Sequence, residues 1–128
     1  MADIERIIVP GQHEPVSHYC HAVRVGDRVW ISGTVGLAAD GTVPPDTVDQ
    51  FRLAMDNLDA ALRAAGGKPH HIVKVTVYLT DVADRARINP IRQDYFGEHR
   101  PASTLVEVSA LVLPELKVEI EAEAVIVD

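Results

Sequence analysis

The chain has a single cysteine, Cys20, in 128 residues, so no intrachain disulfide can hold it together. Aromatic residues make up only 5%, with one Trp, three Tyr and two Phe, which leaves Val, Ile, Leu and Ala to build the core. Basic residues are outnumbered, 12 Lys and Arg against 19 Asp and Glu, for a net charge of −7. With no Lys/Arg cluster along the sequence, neither nucleic acid nor an anionic membrane is expected as a partner. No apolar run reaches the roughly 18 residues of a membrane span, and the N-terminus shows no signal-peptide pattern. A cytoplasmic location is the expectation. Internal repeats, low-complexity segments, a glycine-rich phosphate loop and a nucleophile elbow are all missing from the sequence.

Histidine invites a metal reading that the spacing does not sustain. On a strand, His18 and Cys20 would share a face and His21 would lie opposite, while His70 and His71 follow a proline in a link. No metal site is expected.

What remains is an ordinary globular composition, 47% hydrophobic and 24% charged, in a length that suits one domain over residues 1–128. Such a chain buries about two-thirds of its unfolded surface. The clearest pattern lies near the end. Val118, Ile120, Ala122, Ala124 and Ile126 alternate with Lys117, Glu119, Glu121 and Glu123, the period of a half-buried strand. Its apolar side needs a cover. The three acids on its other side need water, a partner charge or a polar cavity, because unpaired buried acids are costly.

The rest of the chain punctuates itself. Ile4 to Val9 is an apolar run stopped by Pro10-Gly11 and reads as a strand. Tyr19 to Val25 and residues 29–33 flank the tight turn Gly26-Asp27, an antiparallel hairpin. Residues 37–46 form a loop. Thr47 and Gln50 have capping-box spacing at the head of a helix, with an apolar stripe from Phe51 to Ala65 and a Gly66-Gly67 stop. Ile72 to Leu79 is a strand. Asp81 to Asp84 turns into a second helix over roughly 85–98, in which Pro90 demands a kink or a start near Asn89. Pro101 to Val127 holds two strand-like runs, the last strands, joined by a short link containing Pro114. This order predicts an α+β domain, a mixed sheet with two helices on one face. The uncovered face carries apolar positions beside its acids, which points to self-association.

The residues VWISG at 29–33, AAGG at 64–67, VKVTVYLTD at 73–81, PASTLVEV from Pro101 and VEIEAEAV from Val118 together resemble the RidA/YjgF family over essentially the whole chain. The resemblance implies a chorismate-mutase-like fold assembled as a homotrimer with clefts between subunits. It also implies cofactor-free hydrolysis of reactive enamines and imines to a keto acid and ammonia. Position by position, Tyr19 matches the family's cleft tyrosine, Ser32-Gly33 its serine–glycine pair, and Glu119 the acid of its terminal strand. The family pattern P-A-R-[ST]-x-V-E-V is broken, with Ser103 where the arginine stands.

That arginine grips a substrate carboxylate through paired charge-assisted hydrogen bonds, which a hydroxyl cannot replace. 2-Aminoacrylate is therefore expected to be a poor substrate, and Ser103 is expected to admit a substrate that is larger, lacks the carboxylate, or is held by another group. Arg100, three positions before Ser103, would point to the opposite face by strand parity.

Each site residue has an ordinary alternative. Glu119 activates a water or is a solvated strand acid. Tyr19 stacks on a planar substrate or packs at an interface. Ser32 bonds substrate or satisfies local backbone. Ser103, with no base and orienting acid beside it, is not expected to be a nucleophile. The functional classes left open are an imine or enamine deaminase, a non-catalytic metabolite-binding trimer, and a chaperone-like trimer.

Overall fold

A computed structural model describes residues 3–127. Six strands form one mixed sheet: β1 (Ile4–Ile7), β2 (Ala22–Val25), β3 (Arg28–Val35), β4 (Ile72–Leu79), β5 (Ala102–Glu107) and β6 (Val118–Val125). Two helices accompany it, α1 (Thr47–Ala64) and α2 (Arg85–Phe96). The spatial order is β1-β2-β3-β6-β4-β5. All pairs are antiparallel except β4 with β5, whose parallel pairing requires the crossover that α2 supplies. The last strand therefore lies in the centre, between β3 and β4.

Alternation places the core. Val118, Ile120, Ala122 and Ala124 of β6 are buried together with Val75, Val77 and Leu79 of β4 and Val29 and Ile31 of β3. Phe51, Ala54, Leu58, Ala61 and Leu62 of α1 and Ile88 of α2 close the same aliphatic cluster. The second face of the sheet carries Trp30, Tyr78 and the β6 acids.

Several boundaries differ from the sequence expectations, each for a local reason. The first strand ends at Ile7, because Val9 N–H turns to donate to His21 Nδ1 at 2.8 Å before the Pro10-Gly11 turn. The second begins at Ala22, not Tyr19, leaving Tyr19, Cys20 and His21 in the approach to it. Asp46, not Thr47, caps α1, accepting from Val48 N–H at 3.1 Å. Thr47 instead donates to Asp84 Oδ2 at 2.9 Å. Gln50, fully buried, does not close a capping box. Its Nε2 donates to the carbonyls of Pro44 and Glu115, and its Oε1 accepts from Lys117 N–H, tying α1 to the link before β6. Gly66 follows α1 with φ +92°, a left-handed stop that glycine adopts without a Cβ clash. The second helix does not begin at Asn89. It starts at Arg85, runs through Pro90 and ends at Phe96.

Candidate functional site

The third strand does not simply end at the Ser32-Gly33 pair. It continues to Val35 across a shift in register: Ile31 faces Ala122 and Thr34 faces Ile120, so Ser32 and Gly33 together oppose Glu121. Such a bulge re-aims side chains and opens space beside a sheet. Here it brings the Gly33 backbone against the side chain of Glu119. A Cβ on residue 33 would meet the Glu119 carboxylate, 2.8 Å from its Cδ, so only glycine leaves the acid where it is.

Tyr19, Ser32, Gly33 and Glu119 line one cleft, formed of two adjoining hollows of about 70 Å³ and 300 Å³. Four of the five residues singled out by sequence thus meet. Glu119 is partly buried, and burial raises its carboxyl above the usual range, with the neighbouring Glu121 adding to the rise. Glu121 is occupied otherwise: Tyr78 donates its hydroxyl to it, which pushes the Tyr78 phenol up to about 12. Two acids two residues apart on one strand are thereby separated into a hydrogen-bonded one and one facing the cleft.

The Ser32 hydroxyl donates to the Cys20 carbonyl at 2.7 Å, and Ser32 N–H donates to the His21 carbonyl. Ser32 therefore pins the Tyr19–His21 segment against the bulge, while its oxygen keeps acceptor capacity toward the cleft. Tyr19 is 42% exposed at the cleft mouth, and Val16 N–H approaches its hydroxyl. His21 accepts from Val9 N–H at Nδ1, so the proton sits on Nε2, 3.2 Å from the His13 carbonyl. That histidine is part of the wall. The inner end of the cleft is set by Asn57 of α1, which donates to the Val35 and Leu37 carbonyls and whose own carbonyl receives Gln12 Nε2. Neither Gln12 nor Asn57 stands out in the sequence, because each acts on backbone remote from itself along the chain.

Ser103 is elsewhere. It pairs with Val75, which pairs with Ala122, so it shares the helix-covered face, whereas Glu119, paired with Tyr78, lies on the opposite one. Ser103 lines a separate cleft of about 460 Å³ with Asn89, Arg92, Phe96 and Arg100. Arg92 Nη2 donates to its hydroxyl at 2.7 Å. The parity that would turn Arg100 away does not apply, because β5 begins at Ala102 and Arg100 lies outside it. Among the described residues no three His, Cys, Asp or Glu side chains converge as a metal site would require, and no helix is long and apolar enough to cross a membrane.

A six-stranded mixed sheet with two helices on one face and an acid–glycine–tyrosine cleft at a central bulge defines a class of small α+β proteins. The chain belongs to the RidA/YjgF family: the model described as endoribonuclease L-PSP matches residues 11–126. It is 37% identical over 122 residues to a RutC family protein of Pyrococcus horikoshii, covering 94% of this chain and 96% of the relative. With the 2-iminobutanoate/2-iminopropanoate deaminase of Escherichia coli it shares 38% identity over 114 residues, 86% of this chain and 88% of that protein. The crystal structure of the YjgF gene product of Escherichia coli superposes with a TM-score of 0.87 at 35% identity, covering 94% of this chain and 98% of that one.

Proposed function

We propose that this protein is a homotrimeric, cofactor-free deaminase that hydrolyses small imine- or enamine-type metabolites to a carbonyl compound and ammonia. The observation that carries this reading is the Glu119 carboxyl, raised by burial, uncommitted to any hydrogen bond that would hold it ionised, and facing an open cleft beside Gly33. The likeness to a relative named for imine deamination supports it.

The chemistry asked of the site is proton management. As carboxylate, Glu119 takes a proton from a water that adds to the C=N carbon. As carboxylic acid, it returns that proton to the nitrogen to give a carbinolamine; it then carries the carbinol O–H proton to the same nitrogen, and the C–N bond breaks as the C=O forms, releasing ammonia. An enamine enters after protonation at carbon, by the same group or by solvent. A carboxyl raised toward neutrality exchanges protons in both directions more readily than an ordinary surface acid. Tyr19 covers the planar substrate, and the Ser32 oxygen accepts from its N–H.

Association between copies is supported by the placement of Ser103. Two features on opposite faces of one sheet can hold one small molecule only when they come from different copies. Exposed Trp30, Val106 and Val112 supply apolar surface for such association. The test is ammonia release from imines generated freshly by amino-acid and amine oxidases, with wild type and Glu119→Gln. Loss of about a hundred-fold or more in the variant is expected. Equal turnover by both, or none by either, would overturn the reading. Light scattering should give the mass of three chains.

Binding without turnover is the second reading, favoured by Ser103 at the arginine position and by the engagement of the Ser32 hydroxyl with backbone. It predicts a ligand-induced rise in melting temperature and no product. An RNA substrate is disfavoured by the net charge of −7.

A further inference from the structure

The cleft between α2 and β5 holds two arginines and no acid. Arg92 is half-buried, with its Nη2 on Ser103 and its Nε buried without a hydrogen-bond partner. Among the described residues neither Arg92 nor Arg100 belongs to an ion pair, although the chain carries seven more acids than bases. The arginines that do pair, Arg87 with Asp46 and Asp84 and Arg63 with Asp59, stand well exposed to water; Arg92 differs in holding a guanidinium nitrogen buried without a partner. Arg92 also sits where helical spacing should place an apolar residue, four positions after Ile88 and four before Phe96, both buried. A guanidinium desolvated without a carboxylate costs free energy that a structural role would avoid.

We propose that Arg92, placed by its hydrogen bond to Ser103 and assisted by Arg100, is a carboxylate-binding residue of this protein. It presents a guanidinium from α2 over the position on β5 where the family pattern has its own. Ser103 orients Arg92 and leaves the rest of the planar fork for a carboxylate. The volume of about 460 Å³ accommodates a short-chain acid, and Phe96 and Pro101 provide an apolar wall for its chain. The specificity inferred is for 2-imino acids over imines that lack a carboxylate. This inference rests on the deaminase reading for its substrate class, but the anion site is testable by binding alone.

The experiment titrates wild type, Arg92→Met and Arg92→Met/Ser103→Arg with pyruvate and with pyruvamide, its uncharged analogue, by calorimetry. Circular dichroism checks that each variant is folded. Wild type is expected to bind pyruvate more tightly than pyruvamide. Arg92→Met should weaken pyruvate about ten- to a hundred-fold and leave pyruvamide unchanged. Adding Ser103→Arg should restore pyruvate binding, a rescue that loss of a merely structural arginine would not give. Equal binding of the two ligands by wild type, equal losses for both in Arg92→Met, or undiminished pyruvate binding in that variant would each overturn the proposal. Should Arg92→Met be unfolded, Arg92→Lys, which keeps the charge and stem but loses the fork, must show the same selective weakening. Arg92-dependent pyruvate binding in a protein that deaminates no imine would keep the anion site and sink the enzymatic reading. Deamination of 2-imino acids indifferent to Arg92 would do the reverse.

Discussion

The two clefts of this molecule are built from opposite charge and by opposite means. In one, a carboxyl on a central strand is kept out of the helix-covered core, raised by partial burial and given room by a glycine in a bulge. In the other, a guanidinium projects from a helix onto an edge strand, and burial lowers its proton affinity because no acid compensates it. The difference teaches that a rigid central strand suits the group that must exchange protons with a reacting atom, since its position must be accurate. A binding charge can come from a helix surface at the sheet edge, where position is easier to change.

The largest expected separation of the two is chemical. Glu119→Gln should abolish ammonia release while pyruvate binding survives within about threefold, measured by single-turnover assay and calorimetry on the same preparation. A parallel loss of binding would mean that Glu119 holds the ligand as well as moving its protons.

Gly33→Ala should come next. It forces the Glu119 side chain aside and should lower kcat/KM about ten- to a hundred-fold with little change in melting temperature, because the backbone of Gly33 is not in the left-handed region. Substitution on the binding side, Ser103→Ala, should raise KM and leave kcat unchanged.

Gln50→Ala tests the frame between the clefts. Two carbonyls and the Lys117 N–H would lose their partners under α1, and about 2–4 kcal/mol of stability should go, visible in urea titration. The smallest effect is in pH. A carboxyl whose folded pKa is raised destabilises the ionised fold, so Glu119→Gln should be the more stable protein above the raised pKa. That advantage should fade as pH falls from the raised value and be gone below the ordinary glutamate value, where folded and unfolded wild type are both protonated. Melting temperatures from pH 4 to 8 would check the sign.

Much of the fold was legible because its signals are periodic. The alternation in β6 assigned Val118, Ile120 and Ala122 to the core and Glu119 to the other face, and the Phe51–Leu62 stripe assigned the inner side of α1. Where a residue bonds across the sequence, periodicity is silent. Gln50 reads as a capping residue until Lys117 and Glu115 are seen beside it, and Thr47 until Asp84 is. Parity along one strand also cannot relate two strands, so Ser103 and Glu119 could be expected together although the register puts them on opposite faces. Arg92 carried a readable signal, a charge on the Ile88–Phe96 line, which draws notice only once that line is known to be buried.

The central position of β6 has a temporal consequence. Residues 118–125 zip between two halves, β1-β2-β3 on one flank and β4-β5 on the other, which no other strand joins. Of the described strands it is also the last to leave the ribosome. Until it arrives, each half presents a bare, hydrogen-bonding margin, and the acid that faces the cleft does not yet exist. Nascent chains therefore meet their greatest exposure to misassembly just before they become competent, and the step that removes the hazard is the same one that installs Glu119.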